Sequence, residues 1–177
     1  MVYYTQKIGD VFLKKNLGKI LEDNFRKSVP DDIFYYRFRD SAGTWGGNES
    51  LRFTPSNIAD CMLYNYGNLH LVELKNHKGK SIPLSCILGN KTKEKQIEDL
   101  YIANTYAGIY SHLIVFFVDI EKCYDLSIDK LKEFITLGER KSIPISYFQE
   151  NGIEIETLKL RSNYRFNIEK WLYEKTR

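Results

Sequence analysis

Residues 112–120 read His-Leu-Ile-Val-Phe-Phe-Val-Asp-Ile, a near-continuous apolar run with no polar alternation. A strand of this kind cannot leave one face in water, so it belongs at the centre of a sheet covered on both sides. Helices are the economical cover. The run therefore predicts an α/β layered domain, a central mixed β-sheet flanked by helices. With 177 residues, 43% of them apolar, the chain can fill one such core, and one domain over 1–177 is expected.

The remaining elements follow from period and punctuation. Leu13, Leu17, Ile20, Leu21 and Phe25 recur at helical spacing within 5–27, and Pro30 ends that run. The aromatic IFYYRF at 33–38 reads as a strand, whereas the glycine-rich 39–50 reads as a flexible protrusion. Strands at 58–65 and 68–75 flank Tyr66-Gly67, a hairpin turn. A helix is predicted over 93–107, a strand at KCYDLSI, a short helix at 129–137 and a closing helix at 167–175. No internal repeat is apparent. The chain has no stretch of ~18 apolar residues and no signal-peptide order at its start, so a soluble, cytoplasmic protein without a membrane partner is expected. Cys61, Cys86 and Cys123, odd in number and widely spaced, read as reduced core thiols.

Formal net charge is only +3, but its distribution is uneven. Lys75, Lys78, Lys80, Lys91, Lys93 and Lys95 fall within 75–95 against one acid, Glu94. Such a cluster either holds a polyanion or is a solvated loop, and charge alone leaves both open. His70, His77 and His112 share no metal-ligand spacing, and His70 reads as a core residue. The GTWGG stretch lacks the Lys-Ser/Thr ending of a phosphate loop. Trp45, near Arg37, Arg39 and Arg52, either stacks on unpaired bases or tucks onto the core.

The hairpin holds the chemistry. A two-residue turn pairs Asn65 with Asn68, and counting outward brings Asp60 opposite Glu73. Opposed carboxylates repel unless a cation compensates them. Glu73 and Lys75 share one strand face, while His70, Val72 and Leu74 share the other. Hard oxygen ligands suit Mg²⁺, with Mn²⁺ as a substitute, and a lysine beside them can orient water and meet charge growing on a phosphate. Spacing alone also allows plain solvent-facing strand residues.

Asp60, twelve residues, then Glu73-Leu74-Lys75 resembles the PD-(D/E)XK nuclease motif. An ordered series from Gly18 to Trp171 is similar to the RecU-type Holliday junction resolvases. Gly18-Lys19 and Leu21-Glu22-Asp23 resemble that family's first helix, Ser81-Ile82-Pro83-Leu84 its aromatic-Pro-Leu segment, and Lys95-Gln96 the His-Gln pair opening its next helix. Tyr164-Arg165-Phe166 before a helix also matches.

The resemblance implies a restriction-endonuclease-like core and a homodimeric, Mg²⁺-dependent endonuclease that cleaves branched DNA, with recombination proteins as further partners. Carried over, Asp60 and Glu73 are the metal carboxylates, Lys75 the catalytic lysine, Gln96 the active-site glutamine and Glu22 the first-helix acid. Lys78, Lys80, Lys91, Lys93, Arg37, Arg39, Trp45 and Arg52 are the expected DNA contacts. Two departures stand out: Lys95 replaces the family's histidine, and the segment between Arg37 and Arg52 is shorter than its stalk.

Overall fold

The computed structural model describes residues 17–38 and 57–175. The elements are α1 (Leu17–Arg26), β1 (Phe34–Arg37), β2 (Cys61–Asn65), β3 (Asn68–His77), β4 (Ser81–Pro83), α2 (Leu84–Leu88), α3 (Lys91–Ala103), β5 (Ile109–Phe117), β6 (Lys122–Ser127) and α4 (Ile128–Leu137). They continue with β7 (Ser142–Pro144), α5 (Ile145–Asn151), β8 (Ile153–Ile155), β9 (Thr157–Lys159), β10 (Tyr164–Phe166) and α6 (Ile168–Lys175). The six-stranded sheet runs β1-β2-β3-β5-β6-β8. Among the described strands only its β3–β5 pair is parallel, which makes the sheet mixed. That pair needs a crossover, supplied by α2 and α3.

The apolar run became the centre of the sheet, and residues 111–117 of β5 are buried throughout. Leu113, Val115 and Phe117 pack with Ile97 and Leu100 of α3, Leu131 of α4 and Phe148 of α5. Ile114 and Phe116 pack with Leu21 and Phe25 of α1 and with Phe166 and Trp171. Each buried Leu, Ile or Phe side chain contributes roughly 1.5–3 kcal/mol. The sheet thus lies between two helical layers, as the run predicted.

Tyr66 and Gly67 both have positive φ, 44° and 86°, the turn pattern that matches the twist of two antiparallel strands. The turn fixes the register, so Asn65 pairs with Asn68 and Cys61 with Val72. β3 runs two residues beyond its expected end and β2 starts three later. Helix α3 covers 91–103 rather than 93–107, because Asn90 caps it by accepting the Lys93 amide at 3.0 Å. Predicted positions 5–16 of the first helix and the protrusion at 39–50 lie outside the described residues.

One expectation is corrected. Lys80-Ser81-Ile82-Pro83-Leu84-Ser85 and Lys141-Ser142-Ile143-Pro144-Ile145-Ser146 are a short repeat, and the two copies pair with each other as β4 and β7. Their bonding is reciprocal. The Leu84 amide donates to the Lys141 carbonyl and the Ile145 amide to the Lys80 carbonyl, both at 2.9 Å, while the two serine hydroxyls meet at 2.8 Å. Each proline then opens a helix, since it stops the ladder and suits a helix start. The pair ties the lysine-rich segment after β3 to the α4–α5 side of the domain. β8 reaches the edge of β6 because Gly152 comes so close that a Cβ there would lie 2.6 Å from the Asp125 carbonyl oxygen.

Candidate active site

Glu73 lies mid-way along β3, flanked by β2 and β5, and is 2% exposed. Leu71, Glu73 and Lys75 face α3, whereas Val72 and Leu74 face α1, the alternation read from the sequence. Burial of a carboxylate demands partners. Lys75 Nζ donates to Glu73 Oε1 in an ion pair, and Gln96 Nε2, projecting from the first turns of α3, donates to Oε2 at 2.7 Å.

Asp60 stands just before β2, half-buried. Its amide donates to the Val72 carbonyl at 3.1 Å, and its Oδ2 accepts the Leu74 amide at 2.7 Å. These two bonds straddle Glu73, so the predicted opposition of the carboxylates is met where the ladder ends. Burial, and next the Asp60 charge, push the Glu73 carboxyl up to about 7 against the opposing pull of Lys75. Burial works against the charge on Lys75, but Glu73 and Asp60 more than offset it and hold the ammonium above its usual range.

Glu22 on α1 is ion-paired with Arg37 at the end of β1. Burial is what chiefly raises Glu73, Cys61 and Tyr35, and the Glu22 charge adds one of the smaller contributions to each. Asp60, Glu73, Lys75 and Gln96 therefore form one neighbourhood drawn from the hairpin and α3, while Glu22 is held in the α1 layer by Arg37. Arg37, expected as a DNA contact, is ion-paired with Glu22 and 38% exposed. Lys93 Nζ likewise donates to the Cys86 carbonyl of α2 at 3.2 Å, which holds it against the protein. Lys78 and Lys80 follow β3 and Lys91 opens α3, and all three are exposed. Arg39, Trp45 and Arg52 lie outside the described residues.

Among the described residues no three or more His, Cys, Asp or Glu converge as a complete metal cage. Asp60 and Glu73 do fit Mg²⁺, which takes one or two protein carboxylates and completes its shell with water and phosphate. Their mutual repulsion, which helps drive Glu73 upward, is what a divalent cation would relieve. No described helix is long and apolar enough to cross a membrane.

The opposite sheet face holds a polar chain that spacing could not reveal. Asp125 of β6, wholly buried, accepts from His112 Nδ1 at 3.1 Å and from Trp171 Nε1 at 2.9 Å, and His112 Nε2 lies 3.1 Å from His70 Nδ1. His70 is thus a core residue, as expected. No motif announces the chain, because its members sit on three strands and a helix.

Residues 65–170 match the family described as recombination protein U, RecU. The SPbeta prophage-derived uncharacterized protein YotM of Bacillus subtilis is 30% identical over 169 residues, covering 88% of this chain and 84% of its own length. A solved structure of Hjc, a Holliday junction resolvase from Archaeoglobus fulgidus, aligns over 81% of this chain and 93% of its own at 14% identity, with a TM-score of 0.44. The match of residues 65–170 takes in β3 with its Glu73-Leu74-Lys75, the lysine-rich segment and Gln96, and on that extent the chain belongs to the recombination protein U family.

Proposed function

We propose that this protein is an Mg²⁺-dependent, structure-selective endonuclease that resolves four-way DNA junctions by phosphodiester hydrolysis. The observation that supports this best is the buried Glu73, held by Lys75 and Gln96 beside Asp60, in a chain of a recombination-protein family. Asp60 and Glu73 would hold the metal, whose chemistry would be to acidify water and neutralise phosphate charge. Lys75 keeps its proton on Nζ beside the scissile group and meets charge developing on phosphate oxygens. Gln96, neutral and carrying both donor and acceptor atoms, orients Glu73 and can align an attacking water. Two symmetric cuts across a junction call for two sites related by a two-fold axis, so the functional unit is a homodimer.

The runner-up is a restriction-like or flap nuclease of the same fold, followed by a non-catalytic modulator of recombination. A modulator would gain nothing from two repelling carboxylates at a buried position. Incubating the protein with a synthetic four-way junction and a matched linear duplex, in Mg²⁺ or in EDTA, separates the three. Symmetric nicks in the junction alone, lost in EDTA, are expected. Nicks in both substrates would favour the general nuclease, and binding without cleavage the modulator.

Lys78 and Lys80 emerge from the end of β3 that holds Lys75. The double substitution Lys78→Ala and Lys80→Ala should weaken binding to every DNA form and lower the log–log salt slope by roughly 0.9 for each phosphate that is no longer neutralised. An unchanged slope, measured by anisotropy across a salt series, would show that neither lysine touches phosphate.

A further inference from the structure

The β4–β7 ribbon has a two-fold axis of its own. Lys80-Ser81-Ile82-Pro83 and Lys141-Ser142-Ile143-Pro144 run antiparallel with Ile82 opposite Ile143, so each residue of one copy has its counterpart at the symmetric place in the other. The bonds obey the same axis: the Leu84–Lys141 and Ile145–Lys80 backbone bonds are both 2.9 Å, and the Ser81 and Ser142 hydroxyls meet between them. Ile82 and Ile143 are buried in the layer that covers the Glu73 face of the sheet, and Lys80 follows the strand that carries Glu73 and Lys75. At its two ends the axis leaves a matched pair of cations. Lys80 and Lys141 are both exposed, and neither is ion-paired among the described residues. Lys80 lies across from Ile145 and Lys141 across from Leu84, which separates the two lysines by about 13 Å along the ladder at ~3.3 Å per residue. Lys78 and Arg140, also exposed, add charge at the two ends, while Glu139 subtracts from one.

We infer that the β4–β7 ribbon straddles one groove of a duplex arm of the DNA, with Lys80 neutralising a phosphate of one strand and Lys141 a phosphate of the other. This rests on the nuclease reading above. Duplex DNA has two-fold axes perpendicular to its length that relate its antiparallel strands, and a symmetric protein element can meet such a target with both halves making the same contact. The major groove is about 12 Å wide, close to the separation of the lysines along the ladder, and their flexible stems take up the difference. Contacts to phosphate fix register and orientation without reading bases, which suits an enzyme that selects by structure. The core packing of Ile82 and Ile143 makes the ribbon a rigid support, so an arm held there keeps a fixed orientation toward Glu73. Lys141 is thus a DNA-binding residue remote in sequence from the lysine-rich segment, and only the pairing of β7 with β4 brings it there.

The test uses the full chain in EDTA, with anisotropy of a labelled four-way junction across a salt series. Lys141→Ala should lower the log–log salt slope by roughly 0.9, Lys80→Ala by the same amount, and the double variant by roughly twice as much. Lys141→Gln, which keeps a long side chain without the charge, should repeat the Lys141→Ala result and guards against a folding effect. Lys170→Ala, exposed on α6 in the opposite layer, should leave the slope unchanged. The strands are then told apart with junctions in which single phosphates of one arm are replaced by neutral methylphosphonates. The wild type should lose affinity at one position on each strand, Lys141→Ala should become insensitive at one of these positions and Lys80→Ala at the other. An unchanged slope in both Lys141 variants overturns the inference and leaves the ribbon as a structural tie, and so does insensitivity of the Lys80 and Lys141 variants at the same strand. If the wild type cleaves the junction in Mg²⁺ while either of those results holds, only this inference falls. If the wild type neither binds nor cleaves DNA, the nuclease reading falls with it.

Discussion

Asp60→Asn should abolish cleavage, by roughly three orders of magnitude or more, while making the metal-free protein more stable. The first half follows from the several kcal/mol that a divalent cation contributes to phosphodiester hydrolysis, which an amide oxygen cannot retain. The second half follows from geometry. Asn retains an oxygen to accept the Leu74 amide, so the local fold keeps its bond, but the charge that helps push Glu73 up to about 7 is gone. Because the Glu73 pKa is raised on folding, the metal-free native state holds a proton that the unfolded chain releases, and stability falls as pH rises from about 4.5 through about 7. Removing Asp60 relieves part of that loss, on the order of 1 kcal/mol at pH 8, or a melting temperature a few degrees higher. At pH 4 the two proteins should melt alike. Added Mg²⁺ should raise the melting temperature of the wild type only, since a ligand stabilises a fold in proportion to its binding. DNA binding should be preserved or strengthened. A variant that melts lower at pH 8 and loses DNA affinity would make Asp60 a structural residue.

What could be read in the sequence was whatever depends on near neighbours. The β5 run announced a doubly covered strand, and Tyr66-Gly67 fixed a register from which the meeting of Asp60 and Glu73 could be counted. Gln96 came only through resemblance, because nothing in the local pattern of α3 shows that its side chain crosses to β3. The segments missed by sequence reading are those whose partners are remote. β4 and β7 are three residues each and make sense only as a pair, sixty-one positions apart between Ser81 and Ser142. Once that pairing is known, their common KSIP sequence explains it, yet the repeat is too short to stand out along the chain. Arg37 was assigned by charge and composition, and only the fold shows that α1 places an acid within its reach.

Asp125→Ala should be the most destabilising single change on the face away from Glu73. The carboxylate is wholly buried and serves two donors, His112 and Trp171, which anchor β5 and the closing helix α6 to β6. The arrangement that satisfies the chain has His112 protonated on Nδ1 toward Asp125 and accepting at Nε2 from His70, a tautomer assigned from the hydrogen bonds. Alanine leaves both donors stranded in an apolar layer between Ile114 and Ile153. Each stranded donor costs about 1–3 kcal/mol, and breaking a buried charged network about 3–5 kcal/mol in all. A chain of this length loses roughly 2–4 °C per kcal/mol, so the melting temperature should drop by about 6–20 °C. Trp171→Phe, which removes one donor and keeps the ring packing against Phe25, should cost only about a third as much. The site itself lies across the sheet, so both variants should retain wild-type DNA and metal affinity well below their melting points. If Asp125→Ala melts within 2 °C of the wild type, roughly the effect of a single surface change, the chain of His70, His112, Asp125 and Trp171 does not hold the α6 layer in place.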